Sequence, residues 1–536
     1  MYTRYAKLQQ LQLPKQPYYE TQGTLLLLYA PGRTAALEST LEFQLHRKFR
    51  LVKSLETPLP GSAAGVVVLA EDAELLSTAL SYFAQALQEK ADFAACDAVF
   101  GFEGDTALYR APGHLEGARC ALLSRKLLER CQEAGCPLDR PEALLAFGAK
   151  LARAPRHIPQ ALVRFRREIC AQDVFPPQGR RALLLSHELN MTGAPIVAVS
   201  AVPILRKLGY EVGVLGPSDG GSLSLFVEAG ASVVTNPDCV TSPSLWGLAS
   251  ACDLVLANTV VEAEAVRALN GGPVPVLWWL HDAFEGYSHI AHRVPRELKE
   301  NVRIAAVGSH ATAALHSIRP GFEVRQLIYG LPDYARETFA PYDISYAGGR
   351  PLFVSVGAFE PRKGQDILAE AIRLLPEETR RKAAFLFVGK GSDKALLADV
   401  RALVREFPRE VFYVKRLARE EIKSLMDQCA CVVCSSRDDP MPTFVTEGLI
   451  FGKPAIVSEH TGTAGLVTDG TDGFIYPDDD PAQLAQRLEW AIAHPEALAA
   501  MGPACRALYE KYYSPKAFAD SLTACVRAFG QPPKEE

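Results

Sequence analysis

The chain has 536 residues, of which 48% are hydrophobic and 22% are charged, a composition typical of folded proteins with several cores. This excludes a largely disordered chain. The formal net charge of −5 comes from 57 Lys and Arg against 62 Asp and Glu, so no strong positive field exists to attract nucleic acid or an anionic membrane.

The apolar stretches are too short to cross a bilayer, and the polar start, residues 1–10, lacks the apolar core of a secretory signal. We therefore expect a cytoplasmic protein without a membrane span. Twelve cysteines are scattered along the chain. Cys431 and Cys434 form a CxxC pair inside an apolar run with no second ligand pair nearby, so we interpret the cysteines as reduced core residues.

Two turn-rich segments divide the chain. Residues 171–181 combine prolines, a glycine and charges, which predicts a linker, and residues 333–350 are a second polar, turn-rich stretch. The sequence thus predicts an N-terminal α/β domain over 1–170, a second domain over 182–335, a third over 350–510, and a final helix within 511–530.

In the second domain, short apolar runs alternate with helical patterns. The helix after the first run carries Ile196, Val199, Leu205 and Leu208 on one side, and Pro203 is expected to kink it. Alternation of strands with helices predicts a parallel sheet covered on both faces. The predicted strands are 182–185, 211–215, 231–235, 254–257, 276–280 and 304–307.

The alternation repeats in the third domain. Its predicted strands are 352–356, 385–388, 411–414, 431–434 and 455–457. The last two thirds of the chain are therefore expected to form two successive doubly wound domains. In such sheets ligands bind outside the carboxyl ends of the strands, so a cleft between the two domains is the expected site.

The most informative segment follows a predicted buried strand and reads SRDDPMPTFVTEGLIFG, residues 436–452. A helix is predicted to open near Thr443, where free N–H groups and the helix dipole favour an anion. Asp439 precedes this turn and Glu447 lies eight residues further on. The two carboxylates are suited to accept hydrogen bonds from sugar hydroxyls on either side of a diphosphate bound by the intervening amides. The alternative is an N-cap aspartate and a solvated glutamate.

A second segment, VGAFEPRKG at residues 356–364, places Arg362 and Lys363 at the start of a helix. Cations there oppose the helix dipole, so their position indicates an anion shared by the dipole and the two side chains. The alternative is an exposed basic pair near a turn.

Two further segments follow predicted strands of the second domain. In SHELNMTGAP, residues 186–195, Gly193 allows close approach of a phosphate or sugar, or is simply structural, and the segment is not the GxGxxG dinucleotide fingerprint. In WWLHDAFEGY, residues 278–287, His281 is expected at the carboxyl edge of the sheet, where it orients a hydroxyl or assists catalysis. The alternative is a histidine with a purely structural role. Asp282 and Glu285 are further candidates for the role that His281 would have on the acceptor side of the site.

Together these segments resemble the GT-B glycosyltransferases, and among them the retaining family 4 type that uses nucleotide-activated sugars. The resemblance covers residues 181–530. Asp439 and Glu447 fall on the E-x7-E motif of that family, with Asp in place of the first Glu. The resemblance implies that Asp439 binds hydroxyls of the donor sugar, Glu447 the ribose and Lys363 the diphosphate.

The same resemblance assigns other positions. His281 matches the histidine that touches the sugar and the reaction centre, and Gly193 the first-loop glycine near the phosphates and acceptor. The paired arginine of the family is Ala358 here, and we expect Arg362 to supply the missing charge. The final helix, 515–526, resembles the one that crosses back to brace the GT-B N-terminal domain.

The first 170 residues resemble a GT-A, family 2-like glycosyltransferase in three stretches, GTLLLLYAP, VVVLAEDAE and HIPQALVR. Asp72 and Glu74 are candidate ligands of a divalent cation, but their spacing is irregular and the region is short for the full fold. We therefore expect a truncated, inactive remnant that serves packing or acceptor placement. A residual second transferase activity is the alternative.

The resemblance implies transfer of a sugar, with retention, from a nucleoside diphosphate sugar to a glycan or lipid-linked acceptor, in surface polysaccharide or glycoconjugate synthesis. The expected catalytic residues are His281, Asp439 and Glu447, and the donor is bound by Lys363, Arg362, Gly193, Thr443, Phe444 and Glu447. No metal or other cofactor is expected, and a lipid-linked acceptor brings the protein to the cytosolic face of the membrane. Two alternatives remain: a sugar-nucleotide epimerase or hydrolase, and a catalytically decayed scaffold or glycan-binding protein.

Overall fold

A computed structural model describes residues 24–530, except 32–34, 43, 47, 56–58, 72, 102–105, 111–114, 116, 166, 177, 240–242 and 478. The candidate metal ligand Asp72 therefore lies outside the described residues, as do residues 1–10. The chain divides into two compact units. The first comprises Met1–Ala257 and Gly272–Val276, and the second comprises Asn258–Gly271 and Leu277–Glu536.

The first unit is built on a mixed sheet. Its strands pair in the order β12-β9-β10-β11-β6-β5-β7-β3-β1-β2, with β8 beside β5 and β4. The strands are β1 Leu25–Tyr29, β2 Phe49–Val52, β3 Ala63–Leu69, β4 Glu74–Leu75, β5 Phe93–Phe100, β6 Thr106–Tyr109, β7 Cys120–Ser124, β8 Pro155–Phe165, β9 Arg180–Ser186, β10 Tyr210–Gly216, β11 Ser232–Thr235 and β12 Leu254–Asn258. Strands β9, β10 and β11 are parallel, whereas β5 pairs with β6 and β7 in antiparallel fashion.

From β9 to β12 strands and helices alternate as predicted, whereas some strands of the N-terminal region follow one another without a described helix between them. The helices of the first unit are α1 Ala35–Leu41, α2 Ala79–Gln88, α3 Arg125–Glu133, α4 Pro141–Leu151, α5 Ala171–Val174, α6 Gly193–Val199, α7 Ala201–Lys207, α8 Leu223–Glu228 and α9 Pro243–Ser250. The predicted effect of Pro203 is confirmed, because the expected single helix is split into α6 and α7 at Ser200. A proline ring collides with the carbonyl four residues earlier, here that of Val199.

The acidic stretch of the N-terminal region is paired with arginines. Arg167 holds Glu71 at 2.7 Å and also holds the fully buried Asp173 at 2.7 Å, while Arg164 lies 3.5 Å from Glu74. Glu71 and Glu74 are thus engaged in ion pairs within the unit. Such pairs suit a packing role for this stretch.

The second unit contains two sets of strands, β13-β14-β15 and the parallel six-stranded sheet β18-β17-β16-β19-β20-β21. The strands are β13 Val276–Leu280, β14 Val302–Ala306, β15 Val324–Gln326, β16 Leu352–Val356, β17 Ala384–Val388, β18 Val411–Val414, β19 Cys431–Cys434, β20 Ala455–Ser458 and β21 Gly473–Tyr476. Counted from β16 as the first, the order of the six-stranded sheet is 3-2-1-4-5-6, which is the Rossmann order.

The helices of the second unit are α10 Ala263–Leu269, α11 Phe284–Ser288, α12 Ser309–His316, α13 Gln365–Leu374, α14 Glu377–Arg380, α15 Lys394–Glu406, α16 Arg419–Gln428, α17 Thr443–Ile450, α18 Pro481–Ala493, α19 Pro495–Ala500, α20 Gly502–Tyr512 and α21 Pro515–Arg527. Short 3-10 helices include Val260–Glu262, Pro361–Lys363 and Gly462–Gly465.

The strands of both units are lined by buried apolar side chains. All the strands predicted in the second and third domains are present, and their ends lie within about two residues of the expected positions. Cys431 and Cys434 are buried in β19 with free thiols, which confirms their interpretation as core residues. No described helix has the length and apolarity that a membrane span needs.

Candidate active site

The candidate site of the second unit lies where the strand order of its six-stranded sheet reverses. This reversal falls between β16 and β19, and ligands of doubly wound sheets bind outside the carboxyl ends of such strands. Lys363 follows β16 and Asp439 follows β19. The topology therefore brings two residues 76 positions apart to one edge of the sheet.

Lys363 and Asp439 form an ion pair at this edge, with 2.5 Å between Nζ and Oδ2. The Asp439 side chain is 5% exposed and that of Lys363 is 18% exposed. Ser436 Oγ and the N–H of Met441 also donate to the Asp439 carboxylate, at 3.5 and 3.3 Å. The lysine ammonium therefore points towards the motif that follows β19.

The turn that presents Lys363 requires a glycine. Gly364 has φ +60°, and a Cβ added to it would lie 2.0 Å from the carbonyl oxygen of Ser435. The two loops after β16 and β19 can approach this closely because no side chain stands between them. Arg362 reinforces the contact, since its carbonyl accepts from the N–H groups of Arg437 and Asp438 at 2.8 and 3.2 Å.

Helix α17 begins directly after the Asp439 turn, as predicted. Its first residues are Thr443 and Phe444, and within the described residues their backbone N–H groups donate to no protein acceptor. Pro442 occupies the N-cap position and provides no side-chain cap. These N–H groups are available to an anion.

Glu447 lies on the same helix and is half-buried. Burial raises the pKa of its carboxyl to about 7, partly offset by the positive charges of Arg419 and Lys423. Within the described part of the chain no hydrogen-bond donor reaches this carboxylate. A half-buried acceptor of this kind is suited to a ligand hydroxyl.

Arg362 is already paired with carboxylates. Its Nε lies 2.9 Å from Glu360 and 4.0 Å from Glu285, so its charge is shared with these groups. Ala358 stands where the resemblance places the paired arginine of the family, and its carbonyl accepts a hydrogen bond from Gln365 at 2.8 Å.

His281 is the first residue after β13, as predicted, and its ring packs on that of Trp279 with 4.3 Å between centroids. Asp282 accepts from the N–H of Val260 at 2.6 Å, and burial raises the pKa of its carboxyl to about 6. Asp282 is thus bound to backbone, whereas Glu285 is exposed.

Gly193 belongs to the first unit, where it is the first residue of α6 after β9. A Cβ added to it would meet no atom within 4 Å. The space around this position is open, which leaves room for a ligand.

The structure also brings together a pair that was not predicted from the sequence, His310 and Asp438. The Nε2 atom of His310 lies 2.7 Å from Oδ1 of Asp438. His310 comes shortly after strand β14, much as His281 comes directly after β13. This position could have marked His310 as a candidate site residue. For Asp438 the signal was its place beside Asp439. Among the described residues no group of three His, Cys, Asp or Glu side chains could hold a metal ion.

Two family models match parts of the chain. Residues 178–320 match the family model described as Glycosyl-transferase family 4, and residues 343–507 match the model described as Glycosyl transferases group 1. The two matches together cover more than half of the chain.

Two curated relatives are similar over part of their length. The D-rhamnosyltransferase WbpZ of Pseudomonas aeruginosa is 29% identical over 170 residues, which are 31% of this chain and 42% of that protein. The alpha-D-kanosaminyltransferase of Streptomyces kanamyceticus is 27% identical over 183 residues, which are 34% of this chain and 46% of that protein. The chain thus spans less than half the length of these relatives.

Among solved structures, Anabaena HepE in complex with UDP-glucose superimposes with a TM-score of 0.54 at 18% identity, covering 66% of this chain and 100% of that one. At this identity the likeness shows the fold. The Rossmann-type sheets and these matches define the class as the GT-B glycosyltransferases. Within that class, the chain belongs to the family 4-like glycosyltransferases.

Proposed function

We propose that this chain transfers a sugar from a nucleoside diphosphate sugar to a glycan or lipid-linked acceptor with retention of anomeric configuration, in surface polysaccharide or glycoconjugate synthesis. The observation that carries the proposal is the meeting of Lys363 and Asp439 at the strand-order reversal, directly before the available N–H groups of α17. A cation, a carboxylate and free amides are the groups that a sugar diphosphate needs.

In the proposed reaction, the bond between the anomeric carbon and the diphosphate breaks, and the diphosphate leaves with the electron pair. Lys363 and the N–H groups of Thr443 and Phe444 stabilise the charge that develops on it. The oxygen of the acceptor hydroxyl forms the new bond to the anomeric carbon, and the proton of that hydroxyl passes to an oxygen of the departing diphosphate.

The carboxylates orient the donor. Asp439 accepts hydrogen bonds from the sugar hydroxyls, and Glu447 accepts them from the ribose. His281 contacts the sugar at the reacting end. Gly193, in the predicted acceptor-side domain 182–335, is proposed to admit the phosphates and acceptor. Arg362 supplies added positive charge near the diphosphate, within the predicted donor domain 350–510.

The test uses radiolabelled UDP-, GDP- and dTDP-sugars with glycan and lipid-linked acceptors. We expect Lys363→Ala to lower the transfer rate by about 100-fold or more, because it removes a donor to the leaving diphosphate, and Glu447→Ala to raise the KM for the donor. Lys382→Ala, which changes an exposed lysine of the same unit, serves as the matched control. Transfer that is unaffected by both site substitutions would refute the site.

The same assay separates the alternatives. Turnover of the donor without any acceptor indicates an epimerase or hydrolase. A nucleoside diphosphate that fails to raise the thermal midpoint of unfolding indicates a decayed scaffold, because a ligand specific for the folded state increases its apparent stability.

A further inference from the structure

The carboxylate of Asp438 accepts hydrogen bonds from two other segments of the second unit. Its Oδ1 lies 2.7 Å from Nε2 of His310 and 3.2 Å from the N–H nitrogen of Phe284, and its Oδ2 lies 2.9 Å from that of Glu285. A carboxylate of this kind only accepts, so Nε2 of His310 carries the hydrogen. One side chain is thus fixed by three donors.

The His310–Asp438 pair of this network is largely shielded from solvent, whereas Phe284 and Glu285 are exposed residues. The side chains of His310 and Asp438 are 10% and 14% exposed, and the ring of Phe284 packs edge-on against that of His310 with 5.3 Å between centroids. Burial raises the pKa of Asp438, but the hydrogen bonds from His310, Glu285 and Phe284 outweigh it, so the net pKa is lowered. The ionised form is therefore the one that the three donors hold.

The backbone of Asp438 is anchored on its other side. Its N–H and that of Arg437 donate to the carbonyl of Arg362, the residue before Lys363. Arg437 in turn forms two hydrogen bonds with the carboxylate of Asp366, at 2.9 and 2.7 Å. The peptide that carries Asp438 is consequently rigid relative to the turn that carries Lys363.

The neighbours of this network in the chain are the proposed catalytic residues. Asp438 directly precedes Asp439, and Phe284 lies three residues after His281. The carboxylate of Asp438 therefore joins the loop after His281 to the backbone segment that carries Asp439. Asp439 in turn is paired with Lys363.

We propose that Asp438 is a positioning residue, which with His310 holds the His281 loop in register with Asp439 and Lys363. This inference rests on the proposed function of the site. A misplacement of about 1 Å between reacting groups can lower a rate by about 100-fold, so such a contact affects turnover without touching the substrate.

The test compares Asp438→Asn, His310→Gln and the double variant. Asparagine retains the shape of the side chain but turns one acceptor oxygen into a donor that faces N–H groups. We expect Asp438→Asn to lower kcat by about 10- to 100-fold, while the affinity for UDP or GDP stays unchanged. In the proposed site these nucleotides are held by Lys363, Glu447 and the first N–H groups of α17, whereas the Asp438 carboxylate bonds His310, Phe284 and Glu285. Asp479→Asn, which removes an exposed carboxylate that also bonds Arg437, is the matched control.

The double variant measures the coupling of the pair. If Asp438 acts through His310, the effects of the two substitutions on kcat are non-additive. Additive effects, or a kcat for Asp438→Asn equal to that of Asp479→Asn, overturn the proposal. Loss of nucleotide affinity together with kcat also overturns it, because that result indicates a general structural role.

A second readout keeps this test independent of the proposed function. Hydrogen–deuterium exchange of the peptide over residues 281–288 is expected to quicken in Asp438→Asn, since the N–H groups of Phe284 and Glu285 lose their acceptor. If the unaltered protein transfers no sugar, the proposed function fails while exchange still reports on the contact. Unchanged exchange in this peptide overturns the positioning role itself.

Discussion

At the residue scale, the replacement of a family glutamate by Asp439 fits its surroundings. The shorter side chain reaches Lys363 at 2.5 Å in a largely buried position. A buried ion pair adds little net stability, because the desolvation of both charges offsets their attraction. In the proposed site, the role of the pair is to hold two charged groups ready for a ligand.

A second feature at this scale is the strained backbone of Thr259, directly after β12. Its φ of 82° and ψ of 168° lie in a region that is almost restricted to glycine. The conformation is held from several sides, since Trp278 Nε1 donates to the Thr259 carbonyl at 2.7 Å and the Thr259 N–H donates to Trp279 at 2.8 Å. It turns the N–H of Val260 towards Asp282.

We expect Thr259→Gly to be more stable than Thr259→Ala by about 1–2 kcal/mol, because glycine relieves the strain and alanine does not. At an unstrained position the order is reversed, with glycine about 0.5–1 kcal/mol less stable. Both substitutions remove the same hydrogen bond from the N–H of Val261 to the threonine hydroxyl. The difference between their free energies of unfolding therefore reports on the backbone conformation. Urea unfolding of the two variants measures it, and equal or reversed stabilities contradict the strain.

At the element scale, the site depends on how closely the loops after β16 and β19 approach. Strand positions follow from apolar runs and could be predicted from the sequence. The close approach of the two loops could not be predicted from the sequence. A Cβ added at Gly364 would lie 2.0 Å from the carbonyl oxygen of Ser435, and these two residues are far apart in the chain.

Gly364→Ala is expected to destabilise the protein by more than about 2 kcal/mol, because it adds a backbone clash to the cost of a left-handed conformation. Gly349→Ala is the control, since Gly349 has φ +77° and open space around its Cβ position. It is expected to cost only about 1 kcal/mol. Chemical unfolding of both variants gives the comparison, and equal losses would show that the close approach carries no energy.

At the scale of the whole molecule, each unit has its own architecture, and within the second unit the final helix packs on the strand that precedes His281. Phe518 of α21 stacks on Trp279 with 5.3 Å between ring centroids. Trp279 also contacts His281. The last helix is therefore joined to a proposed catalytic residue through one buried tryptophan.

We expect Phe518→Ala to lower the free energy of unfolding by about 3–4 kcal/mol, because it opens a cavity beside Trp279. The loss of support is also expected to lower the transfer rate through His281. Lys516→Ala, on the exposed side of the same helix, is expected to change stability by less than about 0.5 kcal/mol. Urea titration and the transfer assay are the measurements, and a Phe518→Ala protein as stable as the Lys516→Ala protein contradicts the packing role.

The sequence alone determined the parallel sheets and the candidate residues, because apolar runs, helix starts and turn residues are local signals. It located Lys363, Asp439, Glu447 and His281 at the carboxyl ends of strands or the starts of helices. Only the tertiary structure decided which groups meet. The Lys363–Asp439 ion pair, the three donors on Asp438 and the strain at Thr259 arise from contacts between segments distant in the chain, and such contacts leave no periodic trace in the sequence.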